Sequence, residues 1–306
     1  MKKVLVTGSN GLLGQKLTER ILSKKDFELI ATSKGKNRFT EKEGYTYADM
    51  DIADEESVNQ VIAKFKPDVV INTAAMTNVD TCEIEKDLCW TLNVTAVEYL
   101  IKACEKHQIQ LIHLSTDFIF DGENGPYLED DKPNPVSYYG ESKLAAEKLL
   151  IKSNIHYTIL RTIIVYGIVN DMSRSNIVLW AKGALEKGNP INVVDDQWRM
   201  PTLAEDLAEI CLLAAEKGAQ GIFNASGKDM MSIVELVQHV ADYYQLDKSL
   251  INPINTESLN QIAKRPKRTG FILDKSIKEL GYQPHSFTEG IAMMDKQIKS
   301  KLKSIK

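Results

Sequence analysis

A chain of 306 residues exceeds what one compact core usually holds, so one large domain with a smaller appendage is the expectation. Hydrophobic residues at 43%, charged residues at 26% and a net charge of −4 describe a soluble globular protein without the basic footprint of a nucleic-acid binder. No apolar run approaches the roughly 18 residues of a membrane helix, and Val4-Leu5-Val6 after Lys2-Lys3 is too short for a signal peptide. Cys82, Cys89, Cys104 and Cys211 form no Cys-x-x-Cys pair and have no histidine at metal spacing. They read as reduced thiols, mostly buried on helices, of a cytoplasmic protein that uses no membrane and no nucleic acid.

From Lys3 to Thr7 a buried strand runs into Gly8-Ser9-Asn10-Gly11-Leu12-Leu13-Gly14, and Leu13, Leu17 and Ile21 continue at helical spacing. A glycine turn between strand and helix suits a dinucleotide pyrophosphate at the helix N-terminus, which makes Gly8, Asn10, Gly11, Leu12, Leu13 and Gly14 candidate cofactor contacts. A second strand, from Phe27 to Ser33, ends in Ser33-Lys34-Gly35-Lys36 with Arg38 behind it, where a carboxylate for the ribose 2′-hydroxyl usually stands. Cations in place of that carboxylate favour a 2′-phosphate, hence NADPH, with NADH as the other possibility. Asp51-Ile52 precedes a helix, and the strand from Asp68 to Asn72 ends in Thr73-Ala74-Ala75-Met76. Small residues there let a flat ring approach the backbone, so Asp51, Ile52, Ala74, Ala75 and Met76 join the cofactor set.

A strand from Gln110 to Leu114 leads to Ser115-Thr116-Asp117, whose hydroxyls could bond a substrate carbonyl or simply cap a turn. Tyr139 and Lys143 then fall one helical turn apart. A cation that close favours the phenolate and lowers the tyrosine's pKa, which suits the phenol to protonate a carbonyl oxygen as hydride reaches its carbon. Tyr244 and Lys248 share the spacing by chance, inside an ordinary amphipathic helix.

Residues 121–137 read as a loop flanking either the substrate mouth or bare surface, and Arg161, in the strand from Ile155 to Thr162, reads as structural. Beyond it come a helix (Ile177, Trp180, Ala181, Leu185), a strand from Ile191 to Val194, a turn from Asp195 to Thr202, a helix from Leu203 to Ala215 and a strand from Gly221 to Ala225. The expected architecture is α/β: a doubly wound parallel sheet of the Rossmann type over 1–165, and a smaller interleaved substrate domain over 166–306. Residues 203–230 are expected to return to the large sheet.

Gly8-x-x-Gly11-x-x-Gly14, Asp51-Ile52, Asn72-Thr73-Ala74-Ala75, Ser115-Thr116-Asp117 and Tyr139-x-x-x-Lys143 together resemble the extended short-chain dehydrogenase/reductases. Leu114 to Gly122, Asp196-Gln197-x-x-x-Pro201-Thr202 and Arg265-Pro266 resemble the dTDP-4-dehydrorhamnose reductases among them. That resemblance implies an oxidoreductase in which Thr116, Tyr139 and Lys143 are catalytic, Lys143 also grips the nicotinamide ribose, and Asp117 meets the substrate. It further implies a nucleotide-linked sugar as substrate and a homodimer. Ile164 occupies the place of a sugar-stacking tryptophan, Trp198-Arg199-Met200 replace smaller residues, and Lys16 stands where some members have a Mg²⁺-binding glutamate, so no metal is expected. His107, His113, His156, His239 and His285 are scattered and read as structural. The alternatives are an epimerase or dehydratase that retains NAD, and a cofactor-binding regulatory subunit.

Overall fold

The computed structural model describes residues 1–170 and 175–304. The first half alternates β1 (Lys2–Thr7), α1 (Leu12–Lys24), β2 (Phe27–Ser33), β3 (Thr46–Asp49), α2 (Glu55–Phe65) and β4 (Val69–Asn72). Short helices α3 (Val79–Ile84) and α4 (Lys86–Trp90) lead to α5 (Ala96–His107), β5 (Gln110–Thr116), α6 (Tyr138–Lys152) and β6 (Tyr157–Thr162). The second half holds β7 (Val165–Tyr166), α7 (Ile177–Leu185), β8 (Ile191–Val194), β9 (Trp198–Arg199), β10 (Thr202–Leu203) and α8 (Ala204–Lys217). It ends with β11 (Gly221–Asn224), β12 (Met231–Ser232), α9 (Ile233–Tyr244), β13 (Ile251–Ile254) and α10 (Phe287–Ser304).

Seven strands form one parallel sheet in the order β11-β6-β5-β4-β1-β2-β3. Val4, Leu5, Val6 and all of β4 are buried, as a parallel sheet covered on both faces requires. One face packs on α1 and α8 through Leu17, Ile21, Leu207 and Cys211, and the other on α2, α5 and α6 through Val58, Ile62, Leu100 and Leu150. The strand order turns back between β1 and β4, which opens a crevice at their carboxyl ends. A third core gathers α7, α9 and α10 around Tyr166, Val178, Leu236 and Ile291, beside two-stranded pairings of β7 with β10, β9 with β12 and β8 with β13. All four cysteines are free and buried, on α3, α4, α5 and α8.

Two sequence readings are refined. The loop 121–137 lines neither cavity described below, which leaves the surface alternative: Tyr127 stacks on Phe120 at 4.0 Å and its backbone N–H donates to Gly270, so the loop is strapped to residues 266–272. Helix α9 ends at the left-handed Gln245, so Tyr244 and Lys248 share no helical face, and Lys248 pairs with Asp242 at 2.6 Å instead. At the C-terminus α10 continues to Ser304, and Lys301 donates to the Val169 and Asn170 oxygens, both at 3.0 Å. The last two residues lie outside those described. Among the described residues no helix is long and apolar enough to cross a membrane.

Arg161 ties β6 to α6 through Glu147, 2.8 Å away with both side chains buried, and donates to the Glu129 carbonyl at 2.9 Å. Removing one member strands the other charge in the core. Arg161→Met is therefore expected to lower stability by about 3–5 kcal/mol. Urea unfolding checks this, and a loss below about 1 kcal/mol would place the pair among weak surface bridges.

Candidate active site

At the end of β1 the chain turns through Gly8, whose φ of 64° suits glycine and whose added Cβ would lie 2.9 Å from the Ala74 nitrogen. A Cβ on Gly14 would lie 2.5 Å from the Gly8 oxygen, so that glycine presses α1 against the turn rather than facing a ligand. Gly11 caps α1 without a side chain, leaving the first amides of the helix open. They face a cavity of about 260 Å³. Gly8, Asn10 and Gly11 form its near wall, Ser33, Lys34, Asp51 and Ile52 its outer wall, and Ala74 and Ala75 its floor.

Polar partners inside this cavity differ from expectation at three places. The Asn10 amide is occupied, donating to the Lys36 carbonyl at 3.0 Å and accepting from Arg38 N–H at 2.8 Å, so it shapes the loop. Lys34 reaches Asp51 at 2.7 Å, and that hydrogen bond raises the lysine and lowers the carboxyl from their ordinary values. Arg38 stands on the same wall. Met76 turns away: it packs with Cys82, Cys89 and Tyr139, while its backbone exchanges hydrogen bonds of 2.8 and 3.0 Å with the Asn93 amide.

Thr73 and Ala75 also border a second cavity of about 530 Å³, so the two spaces adjoin. Leu12 and Leu13 line it from α1, and Ile164 from the segment after β6. Tyr139 enters at the start of α6, where Ser137 caps the helix by accepting from Gly140 N–H at 3.3 Å. A Cβ on Gly140 would lie 2.1 Å from the Phe118 oxygen; glycine there lets α6 lie on the 117–119 turn and brings Tyr139 to Thr116. Tyr139 and Thr116 line the same cavity. Thr116 donates to Asp117 at 3.1 Å and accepts from Phe118 N–H at 3.2 Å.

Burial pushes Tyr139 above the ordinary phenol value, the reverse of the effect expected from Lys143. Lys143 lines the same cavity, its Nζ 3.1 Å from His113 Nε2, and burial brings it down to about 8. Asp117 borders the cavity, but one oxygen meets Thr116 while the other takes the Thr269 hydroxyl and faces Arg199 Nε at 3.7 Å. Burial still raises its pKa. Arg199 is buried and spends its remaining donors on Gln197 and on the carbonyls of Trp198, Pro266 and Lys267.

Thr116, Asp117, Tyr139, Lys143 and Ile164 thus converge on one cavity, and the glycine turn, Ser33, Lys34, Asp51, Ile52, Ala74 and Ala75 on the space joined to it. Sequence reasoning missed His113, Thr269 and the function of Arg199. A histidine between Ile112 and Leu114, inside a buried strand and three residues before Thr116, was the available signal.

The model of the RmlD substrate binding domain matches residues 1–300. The chain belongs to that family. It is 30% identical to the dTDP-4-dehydrorhamnose reductase of Aggregatibacter actinomycetemcomitans, over 95% of this chain and 97% of that one. It is 32% identical to methionine adenosyltransferase 2 subunit beta of Rattus norvegicus, over 87% and 79%. The solved dTDP-4-dehydrorhamnose reductase of Bacillus anthracis, in complex with NADP, superposes with a TM-score of 0.84 at 26% identity, covering 97% and 99% of the two chains.

The Asp117 cluster makes a pH-dependent prediction. Thr269→Val deletes a donor to a buried carboxylate and is expected to cost about 1–3 kcal/mol near neutral pH, with Thr269→Ser close to the parent. Burial raises the carboxyl in the folded state, and losing a donor raises it further. The deficit should therefore shrink as pH falls and the folded carboxyl takes its proton. Urea unfolding at several pH values checks the trend; a deficit that grows toward acid contradicts it.

Proposed function

We propose that the protein is an NADPH-dependent reductase of a keto group on a nucleotide-linked sugar. One observation carries this reading: a buried phenol beside Thr116 faces a cavity that is lined by Leu12 and Leu13 of α1 and adjoins the glycine turn. The reductase from Bacillus anthracis, with its NADP, supports the choice of cofactor, as do Arg38 and Lys34 at the end of β2. NADH is the competing donor and belongs in the same assay.

When bound, NADPH supplies the hydride. Tyr139 supplies the proton as a substrate oxygen arrives and becomes negative. Thr116 sits beside that oxygen and steadies the phenol, while Asp117 holds the Thr116 hydroxyl in one rotamer, acting through it rather than on the sugar. A phenol with a raised pKa stays protonated at neutral pH, which is the form a proton donor needs. Ile164 gives the sugar an aliphatic wall instead of an aromatic face.

A second reading, a regulatory subunit of another enzyme, is favoured by the 32% identity to methionine adenosyltransferase 2 subunit beta. NADPH oxidation across a panel of nucleotide-linked 4-ketosugars separates the two. The reductase should consume NADPH with at least one of them, and Tyr139→Phe should keep cofactor affinity while turnover falls by ~10²–10⁴. No turnover with any ketosugar, together with a stable complex with another enzyme, would establish the regulatory reading.

A further inference from the structure

His113 is buried, titratable and idle in the mechanism above. It closes a polar chain that crosses three adjacent strands: in the sheet register Thr7 faces Asn72, and Asn72 faces His113. Thr7 Oγ1 meets Asn72 Oδ1 at 2.6 Å, Asn72 Nδ2 meets His113 Nδ1 at 3.1 Å, and His113 Nε2 meets Lys143 Nζ at 3.1 Å.

The direction of each bond follows from the first. The Thr7 oxygen already accepts from Ala74 N–H at 3.3 Å, so its hydroxyl proton needs an acceptor. A separation of 2.6 Å to Asn72 is an O–H···O length, shorter than N–H···O bonds usually are. The Asn72 carbonyl therefore faces Thr7 and its NH₂ group faces His113. Nδ1 of the imidazole accepts, and the single proton of a neutral ring sits on Nε2, aimed at Lys143. An ammonium has three donors and no lone pair, so two donors would confront each other; a free amine accepts the bond.

We propose that in mildly alkaline solution Lys143 rests as a free amine held by the Nε2–H of His113, and takes up a proton when NADPH docks. The second half of this statement rests on the reading of the joined cavities as an NADPH site. A dinucleotide brings hydroxyl acceptors and phosphate charge, and both favour the ammonium. His113 is then a positioning residue, acting through Lys143, and Tyr139 meets a cation only in the loaded site. Other groups around the lysine pull the opposite way. Glu147, one turn along α6 and paired with Arg161, and Cys89 from α4 favour the charged form, yet burial outweighs both. Tyr139, on the cavity side, stays neutral because burial raises its pKa.

Calorimetry of NADPH binding at pH 8.5, in buffers of different ionisation enthalpy, counts the proton. The 2′-phosphate, with a second pKa of about 6, is fully ionised there and takes none itself. The wild-type protein should take up about three-quarters of a proton per site, the share of a lysine with a resting pKa of about 8 that is free amine at pH 8.5, and its affinity should weaken by up to about tenfold per pH unit above that value. Lys143→Met should lose the uptake. His113→Gln should lose it too, because its carbonyl can accept from an ammonium that stays charged in the empty site. Asn72→Asp reaches the same end by a different route: it accepts from Nδ1–H, moves the imidazole proton and turns the Nε2 lone pair toward the lysine. NADPH binding without proton uptake, or uptake unchanged in any of these variants, overturns the proposal and leaves the reductase reading standing. Proton uptake in a protein that oxidises NADPH with no ketosugar does the reverse.

Discussion

A polar group taken out of water must find a partner inside the protein, and at the carboxyl ends of β1, β4 and β5 that demand sets the geometry of the site. Parallel pairing places Thr7, Asn72 and His113 side by side. Each meets part of its neighbour's hydrogen-bonding need, and Thr73 Oγ1 adds a bond to the Thr7 carbonyl at 2.6 Å. Asn93 takes up the backbone of Met76 in the same way. Residues 73–76 are thus held by hydrogen bonds at both ends, which keeps the small residues Ala74 and Ala75 flat along the floor of the cavities. A larger apolar residue at Asn72 would fill the space but leave Thr7 and His113 without partners.

The substrate side is built on charge rather than on neutral polar groups. Asp117 and Arg199 are both buried, and the carboxylate gathers Thr116 from β5 and Thr269 from the strap over residues 265–272. Arg199 in turn gathers the carbonyls of Pro266 and Lys267. One ion pair therefore joins the reacting end of the sheet to β9, which carries Arg199, and to the strap over residues 265–272. Burial costs such a pair heavily unless its donors and acceptors find partners. Here both carboxylate oxygens and the guanidinium have partners within the protein.

Much of the scaffold was legible because parallel strands are short apolar runs and the glycine turn has one use between strand and helix. Phe27–Ser33 and Ile191–Val194 match the observed strands at both ends. Tyr139 and Lys143 were legible from spacing alone, but the direction of Lys143 was not. Its partner lies 30 residues away on β5, and the partner of His113 lies 41 residues from it on β4. Sheet register decides the second contact and the packing of α6 on β5 the first, and spacing along the chain encodes neither. Met76, next to Ala75 in sequence, is held by its backbone bonds to Asn93. The loop 121–137 could flank the mouth, from its place between Thr116 and Tyr139, or be plain surface, and the stacking of Tyr127 on Phe120 is a tertiary fact that neither composition nor place encodes.

Ile164 shows how backbone and pocket are coupled. It carries a φ of 32°, a conformation that a β-branched residue rarely adopts and that costs on the order of 1–3 kcal/mol. The cost is borne because Thr202 N–H donates to the carbonyls of both Ile163 and Ile164 at 3.1 Å, clamping the bend against β10. Without that bend the chain would continue β6 away from the sheet's carboxyl edge. With it, the chain turns across the crevice and lays Val165 and Gly167 along the wall opposite Tyr139. The strained residue is therefore the hinge by which the smaller lobe covers the sheet's open end, and its side chain becomes pocket wall as a consequence.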